Sequence, residues 1–295
     1  MIVCSLKSSV EKELKASIKP KHVLGLVPTM GFLHNGHISL IEKAVKDCDH
    51  VWVSIFINPI QFNNQNDLDN YPKNLKKDLN LIKSISEKIN VFSPSIDEMY
   101  DDGLRHKNYN FDGIGSELEG RFRPKHFSGV ATIVSKLFDL FKPNKAFFGE
   151  KDFQQTQIIR KLIEIEKHKT ELIICPTVRE KNGLAMSSRN SLLSKKNREK
   201  ASLIFQNLLF LKKNYKKNDF EELILKCKEN IDSNKDFKTE YLEIVDSYDF
   251  KILNKFVAKK SLRVFICVKV GDVRSVSYTH LRAHETPEHL VCRLI

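Results

Sequence analysis

No apolar run in the 295 residues approaches the roughly 18–20 needed for a membrane-crossing helix, so the chain offers no transmembrane candidate. The N-terminal stretch MIVCSLKSSVEKELKASIKPK lacks a continuous apolar core and a small-residue cleavage site. It reads as a short strand followed by a helix, not as a secretory leader. Cysteine is scarce and scattered: Cys4, Cys48, Cys175, Cys227, Cys267 and Cys292 form no Cys-x-x-Cys pair and no regular spacing. A thiolate zinc site and a disulfide framework are therefore both excluded, and free thiols in a cytoplasmic protein are expected. Internal repeats and long low-complexity tracts are absent too. The formal charge is +12, but lysine runs along the whole chain, as in KNLKKDLNLIKSISEK and LKKNYKKND. With no single basic block carrying interleaved aromatics, this is compositional bias rather than a nucleic-acid footprint, and neither nucleic acid nor membrane is expected as a partner.

What is present is an alternation. HVLGLVPTM is a short apolar run ending in a Pro-containing turn, and HISLIEKAVKDCDH repeats apolar residues at helical spacing. HVWVSIFIN follows, too apolar to keep one face wet, and so predicts a buried parallel strand. The pattern recurs through INVFSPS, GVATIVSKLFDLFK, KAFFGEK, FQQTQIIRKLIEIEKH and ELIICPTV. Such alternation predicts an α/β fold with a parallel, Rossmann-like sheet over residues 1–184. From there the chain changes to charged amphipathic helices and two β-like segments, TEYLEIVDS and SLRVFICVKV. A smaller α+β lid domain is expected over residues 185–274, joined near PTVREKNGLAMSSRN.

The first strand-to-helix junction, PTMGFLHNGHISL, carries the most chemistry. A helix beginning at the carboxyl end of a parallel strand offers amide donors and a positive dipole end to an anion. Gly31 and Gly36 would let the backbone approach a phosphate, and His34 and His37 lie one turn apart. Metal ligation fits less well, because Asn35 occupies the slot where a helical zinc protease carries Glu. Surface histidines are the plain alternative, and this stretch alone leaves all three readings open.

MGFLHNGH resembles the His-x-Gly-His signature of the nucleotidylyltransferase and class I aminoacyl-tRNA synthetase superfamily. The longer PTMGFLHNGH, followed in order by NPIQFNNQNDLDNYPK, RPKHFSGVATIVSKLFDLFKPNKAFFGEKDFQQ and PTVREKNGLAMSSRN, resembles the pantoate-β-alanine ligase family up to about Arg274. That resemblance implies condensation of pantoate with β-alanine through a pantoyl adenylate, using ATP and Mg²⁺, in a homodimer. It implies ATP-binding residues Met30, Gly31, Phe32, Leu33, His34, Asn35, Gly36 and His37, then Gly149, Glu150, Lys151 and Asp152, then Val178, and Met186, Ser187, Ser188 and Arg189. His37 would be the proton donor, and His34, Lys151, Ser187, Ser188 and Arg189 would share the catalytic work around the phosphates. Gln61 would bind pantoate and β-alanine, and Gln155 pantoate. Asp67 or Asp69 would stand near the Mg²⁺, and a lid would keep water from the mixed anhydride.

Two alternatives share part of this pattern. A nucleotidylyltransferase acting on another small acceptor shares the histidine signature but predicts neither the paired glutamines nor GEKDFQQ. A tRNA-charging or RNA-binding protein would need an anticodon-binding domain or a basic-aromatic cluster. The chain also departs from the family at Lys125, where Gly is usual, at Asn182, where Asp is usual, and in the loop QFNNQND. The end of the chain, SVSYTHLRAHETPEHLVCRLI, looks foreign, so residues 275–295 are expected to be a non-native, poorly packed tail and the last strand to be missing. Its His280, His284, His289 and Cys292 suggest a zinc set only superficially, because Pro287 interrupts any helix that would gather them.

Overall fold

Strands that are apolar on both faces must be covered on both, and the computed structural model of this chain, which describes residues 1–216, 219–257 and 260–281, shows how. Six parallel strands, β1 (Val3–Cys4), β2 (Leu24–Thr29), β3 (His50–Ile55), β4 (Ile89–Phe92), β5 (Lys145–Gly149) and β6 (Glu171–Cys175), lie in the order β1-β4-β3-β2-β5-β6. Along β3 the side chains alternate between faces. Val51 and Val53 join Ile41, Ala44 and Ile82 in one buried cluster. Trp52 packs instead on Phe141, with ring centroids 5.3 Å apart, and Phe92 meets the same Phe141 ring at 5.8 Å. Phe141 ends the helix His126–Phe141, most of whose residues are buried.

The strand order reverses direction between β2 and β5. β2 pairs with β3 over its full length, from Leu24↔His50 to Thr29↔Ile55, but with β5 only at Gly25↔Lys145 and Leu26↔Ala146. Past Leu26 these two neighbours separate, which opens a crevice at their carboxyl ends. This is the topological switch point where open α/β sheets hold ligands. PTMGFLHNGH leaves one lip of it and GEKD the other.

A second unit has its own core. The helices Ser202–Asn214 and Phe220–Asp232 pack with an antiparallel sheet of β7 (Phe237–Asp246), β8 (Leu262–Val270) and β9 (Val273–Leu281), burying Leu208, Ile231, Leu242, Ile244, Val264 and Ile266. The division of the chain is less simple than a boundary after residue 184. Residues 1–180 and 185–191 form the first unit, while 181–184 belong with the chain from 192 onward. The return is held by a bridge between Arg179 and Ala185 and by Met186 N–H donating to the Val178 carbonyl at 3.0 Å.

The expected loss of the last strand is corrected here. β9 extends to Leu281 and pairs with β8 at every position from Val270↔Val273 to Leu262↔Leu281. The reason is physical: β8 is entirely apolar apart from its two basic residues and needs a partner on each edge. VRSVSYTHL supplies β-formers and buries Ser275, Ser277, Tyr278 and Leu281. Residues 275–281 are therefore packed sheet. His284, His289 and Cys292 lie outside the described residues.

Candidate active site

The helix Asn35–Asp47 begins in an unusual way. His34 is its N-cap, in extended conformation, and its Nδ1 accepts the Gly36 N–H at 3.1 Å, while His37 Nδ1 accepts the His34 N–H at 3.3 Å. The His37 and Ile38 amides both reach the His34 carbonyl, at 2.8 and 3.0 Å. These amides are thus satisfied within the turn, which corrects the expectation that they stand free for an anion. The helix end still contributes its dipole. Because Nδ1 of each ring accepts, each ring carries its proton on Nε2. The two imidazoles lie 4.1 Å apart and both line the crevice, together with Lys151.

Gly36 also serves the cap itself. A Cβ there would lie 2.9 Å from His34 Cε1 and 3.0 Å from Nδ1. The missing side chain makes room for the capping imidazole, and the residue also lines the crevice.

Burial, then the Lys151 ammonium, lowers the pKa of His34 to about 4. Burial, then His34 and Lys151, lowers that of His37 to about 3. Both rings are neutral Nε2–H donors at neutral pH.

The loop before them is clamped from two sides. Phe32 sits at φ 51° and Gly31 at φ 82°, a left-handed turn that costs Phe32 energy. Buried Asp78, from the helix Leu75–Ile85, accepts the Phe32 and Leu33 amides at 2.8 and 2.7 Å. From the other side Ser188 Oγ donates to the Phe32 carbonyl at 3.1 Å. Ser188 is therefore a buried tether at the edge of the crevice, whose lining it shares with Ser187. Arg189 lies 4.8 Å over the Tyr71 ring and makes two 3.0 Å bonds to the carboxylate of Asp67.

Fourteen expected site residues meet in this one pocket: Met30, His34, Gly36, His37, Gln61, Gly149, Lys151, Asp152, Gln155, Val178, Met186, Ser187, Ser188 and Arg189. Gly31, Phe32, Leu33, Asn35, Glu150, Asp67 and Asp69 are not on its lining. Both Asp67 oxygens are turned to Arg189, and Asp69 accepts from Gln65 Nε2 at 2.8 Å. The glutamine pair GEKDFQQ divides cleanly. Gln155 lines the pocket, and Gln154 is buried against the Ile114 and Glu117 carbonyls at 2.7 Å each.

Residue-by-residue reading missed Asn58, Tyr71, Arg123, His126 and Thr177, all on the lining. A signal existed for two of them. Asn58 is the first polar side chain after the apolar run at the end of β3, and His126 stands beside the family departure at Lys125, which adopts φ 65° as the helix N-cap. His126 Nδ1 donates to the Gln61 carbonyl at 2.8 Å, and burial, then Arg123, lowers its pKa to about 3.

A histidine depressed from the ordinary 6.5 is protonated more readily unfolded than folded, so stability falls as pH drops from about 6.5 toward 3 and is fully present above 6.5. At pH 5 this one group is expected to cost about 2 kcal/mol relative to pH 8. Urea unfolding of the wild type and His126→Gln at both pH values checks this: the substitution should flatten the pH dependence by that amount.

A His-x-Gly-His turn at the switch point of a parallel doubly wound sheet, with two neutral imidazoles, a lysine and an arginine around one crevice, defines a nucleotide-dependent α/β enzyme. A family model described as pantoate-beta-alanine ligase matches residues 3–278. The chain is 46% identical over 253 residues to a pantothenate synthetase from Christiangramia forsetii, covering 86% of this chain and 89% of that one. It is 38% identical over 282 residues to another from Flavobacterium psychrophilum, covering 96% and 100%. The crystal structure of pantothenate synthetase from Thermus thermophilus superposes with a TM-score of 0.86 at 32% identity, over 95% of this chain and 99% of that one. A pantoate-beta-alanine ligase from Francisella tularensis, complexed with beta-gamma ATP and beta-alanine, gives 0.80 at 35% identity over 96% and 99%. The chain belongs to the pantoate-β-alanine ligase family and carries out the ATP-dependent condensation of pantoate with β-alanine. No helix among the described residues is long and apolar enough to cross a membrane.

Proposed function

We propose that the condensation runs in two steps in this pocket. The pantoate carboxylate attacks the α-phosphorus of ATP and releases pyrophosphate; the β-alanine amine then attacks the acyl carbon, forming the amide and releasing AMP. The observation that carries this reading is the convergence of His34, His37, Lys151 and Arg189 with Gln61 and Gln155 on one crevice.

Charge builds on the α-phosphate and the leaving pyrophosphate in the first step. Preorganised donors in a site that excludes water stabilise it most. His34 and His37 supply Nε2–H groups, Lys151 a cation, and Ser187 a hydroxyl. With its pKa lowered to about 3 in the free protein, His37 carries its one proton on Nε2 and offers it to the phosphate as a hydrogen bond. Gly149 ends β5 and Asp152 follows it, and Val178 and Met186 follow β6. These segments flank the adenosine, while Gln61 and Gln155 take the pantoate oxygens.

Mg²⁺ fits this site only as an ion carried by ATP. Among the described residues there is no group of three or more histidine, cysteine or carboxylate side chains that could hold a metal. An ion bound through phosphates needs one or two protein oxygens, and Asp152 is the carboxylate on the lining. When bound, Mg²⁺ offsets the phosphate charge. A homodimer in the cytoplasm, the setting implied by the family resemblance, belongs to the same proposal.

The test is product analysis. With Mg-ATP, pantoate and β-alanine, AMP and pyrophosphate should form one for one with the amide; with β-alanine omitted, one equivalent of enzyme-bound acyl adenylate should accumulate. Amide formation accompanied by ADP and orthophosphate would overturn the adenylate route.

A further inference from the structure

The short turn Pro59–Gln61 after β3 holds Gln61, and three buried side chains determine which end of its amide faces the substrate. Gln61 is 8% exposed, Asn58 1% and Tyr100 5%. Asn58 Nδ2 lies 3.0 Å from the Gly129 carbonyl and 3.1 Å from Gln61 Oε1. A backbone carbonyl only accepts, so the nitrogen of Asn58 must face Gly129 and its oxygen must face the other way. There Tyr100 Oη donates to Asn58 Oδ1 at 2.6 Å. The second Asn58 N–H then falls on Gln61 Oε1, since turning the Gln61 amide over would set two NH₂ groups against each other. Gln61 Nε2 is left facing Met30 Sδ at 2.9 Å, and a thioether is a weak acceptor that a substrate oxygen displaces without loss.

We propose that Tyr100 is a positioning residue for substrate recognition: by donating to the oxygen of Asn58, whose nitrogen the Gly129 carbonyl fixes, it holds Asn58 in place and with it Gln61 in the orientation that presents N–H donors, so this subsite takes an oxygen acceptor of the pantoate. This rests on the reading of Gln61 as a pantoate-binding residue. Tyr100 is 42 positions from Asn58 and does not line the pocket; its hydroxyl acts through the relay, while its ring packs 6.2 Å from that of Phe56 on the lining, a contact Tyr100→Phe keeps. Burial raises the pKa of its hydroxyl, which keeps its proton available to Asn58. Lys136 Nζ, 5.3 Å from the Tyr100 ring, holds the ring rather than the hydroxyl. Without that hydroxyl, Asn58 Oδ1 loses its donor, and the pairing that makes one amide orientation unique is weakened.

The experiment is Tyr100→Phe, alone and in a Gln61→Ala background, with KM measured separately for pantoate and ATP and the melting temperature recorded. The expected result is a roughly tenfold rise in KM for pantoate, with KM for ATP within twofold of wild type. In the Gln61→Ala background the same substitution should change pantoate KM less than twofold, because the two residues act as one unit. An unchanged pantoate KM, a parallel rise in both KM values, or a full tenfold effect that persists without Gln61 would each overturn the relay. Wild-type enzyme that releases no AMP with pantoate would instead sink the functional reading, so the two failures are told apart.

Discussion

Replacing His37 with alanine is expected to slow adenylate formation by roughly 10²–10³-fold, the usual cost of removing one preorganised donor to a developing oxyanion. The side chain does two things at once. Its Nε2–H faces the crevice, and its Nδ1 accepts the His34 amide at 3.3 Å, closing the reciprocal cap that begins the helix. Alanine loses both, so the orientation of His34 suffers as well. Single-turnover measurement of pyrophosphate release isolates the first step from amide formation. The pH profile provides a second reading. With the His37 pKa at about 3 and that of His34 at about 4 in the free protein, neither ring should produce an ionisation in kcat/KM between pH 6 and 8. An acid limb near 6.5 that disappears in His37→Ala would show an imidazolium at work and overturn the neutral-donor assignment.

Gly129→Ala should be strongly damaging, because the residue packs directly against the turn that carries Gln61. A Cβ at Gly129 would stand 2.6 Å from the Ile60 carbonyl oxygen and 2.8 Å from Gln61 Cα, both backbone atoms of the turn that carries Gln61. No flexible side chain can yield there, so either the helix His126–Phe141 or the Gln61 turn must shift. The Gly129 carbonyl also orients Asn58, and His126 on the same helix donates to the Gln61 carbonyl. A shift therefore strikes the Gln61 turn at several points. The expected outcome is a loss of about 1–3 kcal/mol of stability by overpacking. A fall of roughly 10–100-fold in kcat/KM for pantoate should accompany it, as misplaced positioning groups typically cause. Thermal unfolding and steady-state kinetics together check this, and wild-type values for both would show that the helix accommodates the methyl freely.

The ease with which the sequence could be read followed the range of the interactions involved. Buried strands declare themselves in VWVSIFI and KAFFG because a strand covered on both faces has no place for an alternating polar residue. The helices after them are just as visible in their spacing. His34 and His37 could be read because they follow a strand end, and local order places strand ends on one side of a parallel sheet, whereas Lys151 and Gln61 were implied by the family resemblance of the blocks that contain them. The expectation for β9 was wrong because VRSVSYTHL was judged by origin rather than by pattern. Its alternation is adequate for an edge partner, whatever precedes or follows it.

What lay outside the sequence's reach was contact between distant segments. Asp78 holding the Phe32 and Leu33 amides, Ser188 closing on the Phe32 carbonyl, and Tyr100 fixing Asn58 join residues 42 to 156 positions apart. By itself the sequence determined the α/β class with its parallel sheet, the strand-to-helix junction that carries the histidines and the chemical character of the groups there, because these depend on periodicity and on order along the chain. Only the tertiary structure decided which nitrogen of each imidazole accepts within the turn, that the His34 ring fills the space a Gly36 side chain would need, and which end of Gln61 pairs with Asn58. Those choices belong to hydrogen-bond partners, and donors find their acceptors only once the chain has brought them together.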